Sequence, residues 1–138
     1  MLFYFCSKYN MALITPYKIT ELGINGVTTA CSAGGDNFVN TGVEFIRIKN
    51  GHDSAQYTVT ITAQTTTYSF PKHGILTKVN TVKSLAHGTS ALIGPFKPTV
   101  WNDANGKVQI SYILGTTGTT AISGTHLLTI ETLYLEQK

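Results

Sequence analysis

Charge is what this sequence has least of: ten Lys and Arg and seven Asp and Glu among 138 residues, about half the charged share usual for a soluble globular chain. The surface is therefore expected to be neutral and polar, with Thr, Asn, Ser and Gly supplying it. The net charge of +3 comes from single scattered cations with no basic run, so nucleic acid is not an expected partner. Arg47 and Lys49 share one strand face, but two cations fall short of the several phosphate neutralisations that useful affinity needs. No apolar run approaches the roughly 20 residues of a membrane span, and no membrane partner is expected. Cysteine is limited to Cys6 and Cys31, too few and too far apart for a disulfide framework. Reduced thiols are expected.

Groups able to do chemistry are equally sparse. Catalysis needs acids, bases and nucleophiles at fixed spacing, and the seven acids (Glu21, Asp36, Glu44, Asp53, Asp103, Glu131 and Glu136) form no obvious pair. Asp36, Asp53 and Asp103 sit in turn contexts, where an Asp bonding its own backbone is the ordinary explanation. The histidines (His52, His73, His87 and His126) are isolated, without the close ligand pairs of a zinc site. Gly34-Gly35-Asp36-Asn37 does not open a helix and so has no phosphate-cradling logic. Asp103-Ala104-Asn105-Gly106 lacks the spaced carboxylates of a calcium loop and reads as a hairpin turn. Cys31 reads as a small buried thiol rather than a nucleophile. No enzyme activity, cofactor or metal ion is expected.

What the sequence does have is alternation. In YTVTITA, Val59, Ile61 and Ala63 point one way and Thr58, Thr60 and Thr62 the other, the period-2 pattern of a half-buried strand. VEFIRIKN sets Glu44, Ile46 and Ile48 against Phe45, Arg47 and Lys49. KVQISY puts Val108, Ile110 and Tyr112 on one face, and LLTIETLYL is apolar on both. Strands are expected near 26–30, 36–40, 43–50, 56–63, 78–84, 90–96, 107–113, 119–123 and 126–135, separated by Gly, Asn and Asp turns. Asn105-Gly106 suits a primed turn, where positive φ is needed. Gly94-Pro95-Phe96-Lys97-Pro98 reads as extended, and the stretch around residues 62–80 as a long loop or corner.

The length suits one domain. The pattern predicts an all-β fold: an antiparallel β-sandwich, jelly-roll-like or Ig-like, of about eight or nine strands. Residues 1–25 form an N-terminal arm and lead-in, and residues 26–138 a single β-sandwich domain. The opening MLFYFCSKYN lacks the basic n-region of a secretion signal, and with a second methionine at Met11 it reads either as an upstream extension or as an arm that sticks to a partner. Its apolar residues Leu2, Phe3, Tyr4 and Phe5 are expected to bury against a partner, because the sandwich offers them no obvious core. Trp101, Tyr68, Phe70 and Phe96 fall near loops and prolines and are open to two readings, as anchors for a partner or sugar, or as core packing, the commoner fate of large aromatics.

Two stretches carry a resemblance: GGDNFVNTGVEFIRIKNG, from Gly34 to Gly51, and LIGPFKPTVWNDANGKVQISY, from Leu92 to Tyr112. They resemble small virion proteins of tailed bacteriophages, in which a Gly-Asp-x-Phe-x-Asn-x-Gly turn leads into a strand ending in Lys-Asn-Gly, and an Ile-Gly-Pro-Phe element precedes Tyr/Trp-Asn-Asp and a final strand. The resemblance implies a capsid decoration (cement) protein on the capsid exterior of the virion, assembled in the host cytoplasm, with the major capsid protein and itself, as a homotrimer, for partners. The residues expected at capsid or subunit contacts are Leu2, Phe3, Tyr4, Phe5, Arg47, Lys49, Phe96 and Trp101. The ten-residue start and the end from Thr119 to Lys138 depart from the pattern. Two other readings stay open: a head-to-tail connector or tail component, and a carbohydrate-binding jelly-roll module in which Trp101 and Tyr68 stack on sugar rings.

Overall fold

A computed structural model describes residues 11–65, 67–72, 74–115 and 128–135. In chain order the strands are β1 (Ala12–Ile14), β2 (Pro16–Ile19), β3 (Thr29–Ala30), β4 (Asp36–Val39), β5 (Glu44–Asn50) and β6 (Tyr57–Ile61), followed by β7 (Thr67–Phe70), β8 (Gly74–Thr77), β9 (Thr81–Leu85) and β10 (Ser90–Ile93). The short helix α1 (Pro98–Trp101) precedes β11 (Lys107–Leu114) and β12 (Leu128–Leu135). One sheet has the order β1-β4-β11-β6-β9; the other runs β10-β5-β12-β2, with β3 also paired to β12. The chain is therefore an all-β sandwich of two five-stranded sheets.

The alternation sorts side chains as expected. Phe38, Ile46, Ile48, Val59, Ile61, Val108, Ile110, Leu128 and Ile130 are fully buried and form one core between the sheets. Each such side chain is worth about 1.5–3 kcal/mol of transfer free energy. The pairing of β5 with β12 sets Ile48 beside Ile130 and Ile46 beside Thr132, so the apolar rows of neighbouring strands face inward together.

Several expectations are corrected. The sandwich does not begin at residue 26: β1 pairs parallel to β4 and β2 parallel to β12, which makes both sheets mixed rather than purely antiparallel. Pro16 hid this in the sequence, yet it opens a strand at the sheet margin, where its missing N–H is tolerated. The expected corner at 62–80 contains a hairpin of β7 and β8 that pairs with neither sheet. The expected strand at 119–123, and Leu2, Phe3, Tyr4, Phe5 and Cys6, lie outside the described residues.

Phe96 and Trp101 are not surface contacts. Phe96 packs on Phe38 with ring centroids 5.6 Å apart and on Trp101 at 6.1 Å, and both are buried. Lys78 Nζ covers the Trp101 ring at 5.1 Å from its centroid. The extended reading of Gly94–Pro98 stops one residue short, because Pro98 opens α1, a position where its fixed φ suits a helix. Reciprocal amides hold this segment down: Asn40 Nδ2 donates to Asn102 Oδ1 (2.6 Å) and to the Phe96 carbonyl (2.9 Å), while Asn102 Nδ2 donates to the Asn40 carbonyl (2.9 Å).

The turn before β11 is also built differently from a primed hairpin. Gly106 alone takes positive φ (+73°), and Asn105 does not. Asp103 organises the turn, its Oδ1 accepting the N–H of Asn105 (2.8 Å) and of Lys107 (3.0 Å), and its Oδ2 the Gln109 side chain. Burial alone would raise the Asp103 carboxyl, but the Lys107 and Asn105 N–H groups, Gln109 and the Lys107 charge outweigh it and hold the carboxyl below its ordinary value.

Two outcomes follow from this packing. Trp101→Ala should cost about 3–5 kcal/mol in chemical denaturation, as a core truncation; a loss within the range of surface substitutions would return Trp101 to the surface. Asp103 stabilises the fold as the anion, fully above the ordinary carboxylate pKa near about 4 and progressively less as pH falls through its lower folded value. Asp103→Asn should therefore melt below the parent at neutral pH, and the gap should close on acidification; a gap that widens in acid would contradict this.

Candidate docking face

The outer faces of the two sheets differ in chemistry. On the β6 sheet the centre is polar, with Thr60 beside Ser111 and Asn37 beside Gln109, and exposed Leu13, Val39 and Val82 lie around it. On the β5 sheet the register sets Leu92, Arg47 and Glu131 in one cross-strand row, and Phe45, Leu133 and Tyr17 in the next. Leu92 and Leu135 are 66% and 57% exposed and Tyr17 is 40% exposed. The charged row thus has an apolar row on one side and the polar row of Ser90, Lys49 and Thr129 on the other.

The charged row is built around a buried carboxylate. Glu131 is 1% exposed, and Arg47, half exposed, donates its Nε to Glu131 Oε1. A buried carboxylate needs such a partner, since desolvation of the charge otherwise costs several kcal/mol. The second oxygen, Oε2, is buried without a hydrogen-bond partner among the described residues. Beside the pair lies an open groove of about 420 Å³, lined by Arg47, Lys49, Ser90, Thr129 and Glu131 of the sheet and Thr28 ahead of β3. Lys49 is exposed and ion-paired to no described residue.

Of the residues expected at contacts, the structure brings Arg47 and Lys49 together on this face. It places Phe96 and Trp101 in the core, which also removes the Trp101 platform for a sugar ring. Sequence reasoning missed Glu131, Leu92 and Tyr17. The signal for Glu131 was present, an acid in the middle of a strand apolar on both faces, but only the β5–β12 register shows that it meets Arg47.

The remaining chemical groups serve the fold. The Tyr112 hydroxyl donates to Asp36 Oδ2 (2.8 Å), which also accepts the Ser32 N–H (3.1 Å). Burial raises the Cys31 thiol far above its ordinary value, reinforced by the Asp36 charge and only partly opposed by Tyr112. Burial likewise raises the Tyr112 phenol, together with Cys31 and Asp36. A thiol so protonated is no nucleophile. His52 Nδ1 accepts the N–H of Ser54 (3.0 Å) and of Ala55 (2.9 Å), ordering its own turn. Among the described residues no cluster of three His, Cys, Asp or Glu could hold a metal ion, and no helix is long and apolar enough to cross a membrane.

In a Cys6→Ser background, Cys31 should resist alkylation at neutral pH in the native state and react at once in denaturant, and the parent chain with both cysteines should melt at the same temperature with or without reductant. Rapid native-state labelling would mean that the thiol is reachable and ionised. Neither a protein-family model, a curated protein nor a solved structure matches this chain.

Proposed function

We propose that the chain is a non-catalytic structural protein of a phage virion, bound to the outer surface of the capsid, which it stabilises as a decoration protein, with the major capsid protein and further copies of itself, as a homotrimer, for partners. The observation that carries this reading is the outer face of the β5 sheet, where exposed Leu92, Leu135 and Tyr17 accompany the Arg47–Glu131 ion pair, while on the other outer face exposed Leu13, Val39 and Val82 surround a polar centre. Exposed apolar residues together with Tyr and Arg are the composition of a protein-docking surface. The likeness of the Gly34–Gly51 and Leu92–Tyr112 stretches to small phage virion proteins supplies the partner. Trimerisation fits because individually weak contacts hold firmly when one assembly presents several.

The buried acids support the non-catalytic part. Glu44 is capped by the N–H groups of Thr41 (2.7 Å), Gly42 (3.1 Å) and Val43 (3.2 Å); Asp36 is held by Tyr112 and Ser32, and Glu131 by Arg47. Each is committed to the fold.

The test is to add purified chain to capsids lacking it and to image the particles. Density over the shell is expected, and a Leu92→Asp/Leu135→Asp double variant should keep the parent melting temperature while binding at least about tenfold more weakly, the equivalent of 1.4 kcal/mol. Density confined to the tail vertex would replace the reading with a connector or tail role, and absence of binding would overturn it.

A further inference from the structure

We infer that the groove beside the Arg47–Glu131 pair receives an acidic side chain, Asp or Glu, carried on a loop of the protein surface on which the chain docks. The inference rests on the docking reading above and names what that face recognises.

Charge supplies the first argument. Arg47 and Lys49 against the single Glu131 carboxylate leave the groove with one net positive charge. Arg47 commits its Nε to Glu131 and makes no other ion pair among the described residues, so its terminal amino groups remain to bind a second carboxylate. A planar guanidinium suits this, since it can hold a carboxylate through two parallel N–H bonds. Lys49 adds a point charge from the next outward position of β5.

The unpaired oxygen of Glu131 supplies the second. Glu131 Oε2 is a buried acceptor with no donor among the described residues, a state that costs free energy because its desolvation goes uncompensated. A bare anion offers it nothing and would be repelled. A peptide loop brings N–H donors alongside its carboxylate, and a modest swing of the half-exposed Arg47 side chain admits one of them to Oε2. Thr28, Ser90 and Thr129 supply hydroxyls for the loop's remaining polar groups.

The surroundings select a protein over other anionic partners. Leu92, exposed in the same cross-strand row as Arg47, offers apolar contact to a protein surface. Among the described residues no aromatic ring lines the groove to stack on a sugar, and two cations are too few for a nucleic-acid backbone.

The experiment has two arms. In the first, the ¹⁵N-labelled full chain is titrated with blocked Gly-Gly-Glu-Gly-Gly, with the same peptide carrying Gln, with glucuronate and with inorganic phosphate. The Glu peptide should shift the amides of Arg47, Lys49 and Thr129, the Gln peptide should not, and Lys49→Glu should abolish the response. Equal shifts with the Gln peptide, or stronger binding of glucuronate or phosphate than of the Glu peptide, would overturn the inference in favour of a non-specific, saccharide or simple anion site.

In the second arm, capsid attachment is measured for the parent and for Lys49→Glu, a fully surface change that leaves Glu131 paired, and for Arg47→Lys, which keeps the charge and loses the fork. Lys49→Glu should weaken attachment at least tenfold and Arg47→Lys by less, and parent attachment should fall as salt is raised, because exposed charge pairs are screened. Parent-like attachment of Lys49→Glu at all salt concentrations would overturn this inference and leave the docking reading standing. Failure of the parent itself to attach would overturn the docking reading, while the peptide arm still decides the chemistry of the groove.

Discussion

The register of β5 is the constraint on which both the core and the docking face depend. In a strand a slip of one residue exchanges the two faces, and here that would bring Arg47 and Lys49 into the core and expose Ile46 and Ile48. Buried polar side chains hold the register at both ends. At the start, Glu44 gathers the N–H groups of Thr41, Gly42 and Val43 and the Thr41 hydroxyl (2.8 Å), which fixes where the turn stops and the strand begins. At the end, Asn50 donates to the carbonyls of Ala55 (2.9 Å) and of Leu85 (3.0 Å), the last residue of β9 in the opposite sheet. Three residues beyond Glu44, Arg47 therefore faces outward, opposite Glu131.

The same economy runs through the rest of the molecule. With few charges available, the chain ties its irregular segments with neutral amides and single carboxylates used as hydrogen-bond hubs. The Asn40–Asn102 pair joins positions 62 residues apart and seats Phe96 and Trp101 over Phe38. Gly35 shows how close the packing is: a Cβ there would stand 2.5 Å from the Ile110 carbonyl oxygen, and its φ of +92° suits glycine. The Gly34–Gly51 and Leu92–Tyr112 stretches thus meet in space through these amides.

Much of the sandwich was legible because burial on one side of a strand leaves a period-2 trace: Val59 and Ile61, Val108 and Ile110, Ile46 and Ile48 all face the core as their spacing implies. What was not legible depends on pairing between distant strands. Parallel partners for β1 and β2 cannot be read from ALITPYKI, where the proline obscures a strand at the margin. The inward turn of Phe96 and Trp101 depends on Asn40, far away in sequence. Half of the candidate site could be read, since Arg47 and Lys49 share a face by alternation alone. Its other half, Glu131 beneath Arg47 and the apolar row beside them, exists only once β10, β5, β12 and β2 are laid side by side.

The central claim is that the outer face of the β5 sheet, and not that of the β6 sheet, meets the partner. Lysine acetylation of assembled particles, read by mass spectrometry against the free chain, tests it directly. Lys49 should be protected on the particle while Lys107 on β11, on the outer face of the β6 sheet beside Val39, labels as it does in the free chain. Equal labelling of Lys49 in the two states, or protection of Lys107 in its place, would contradict the account.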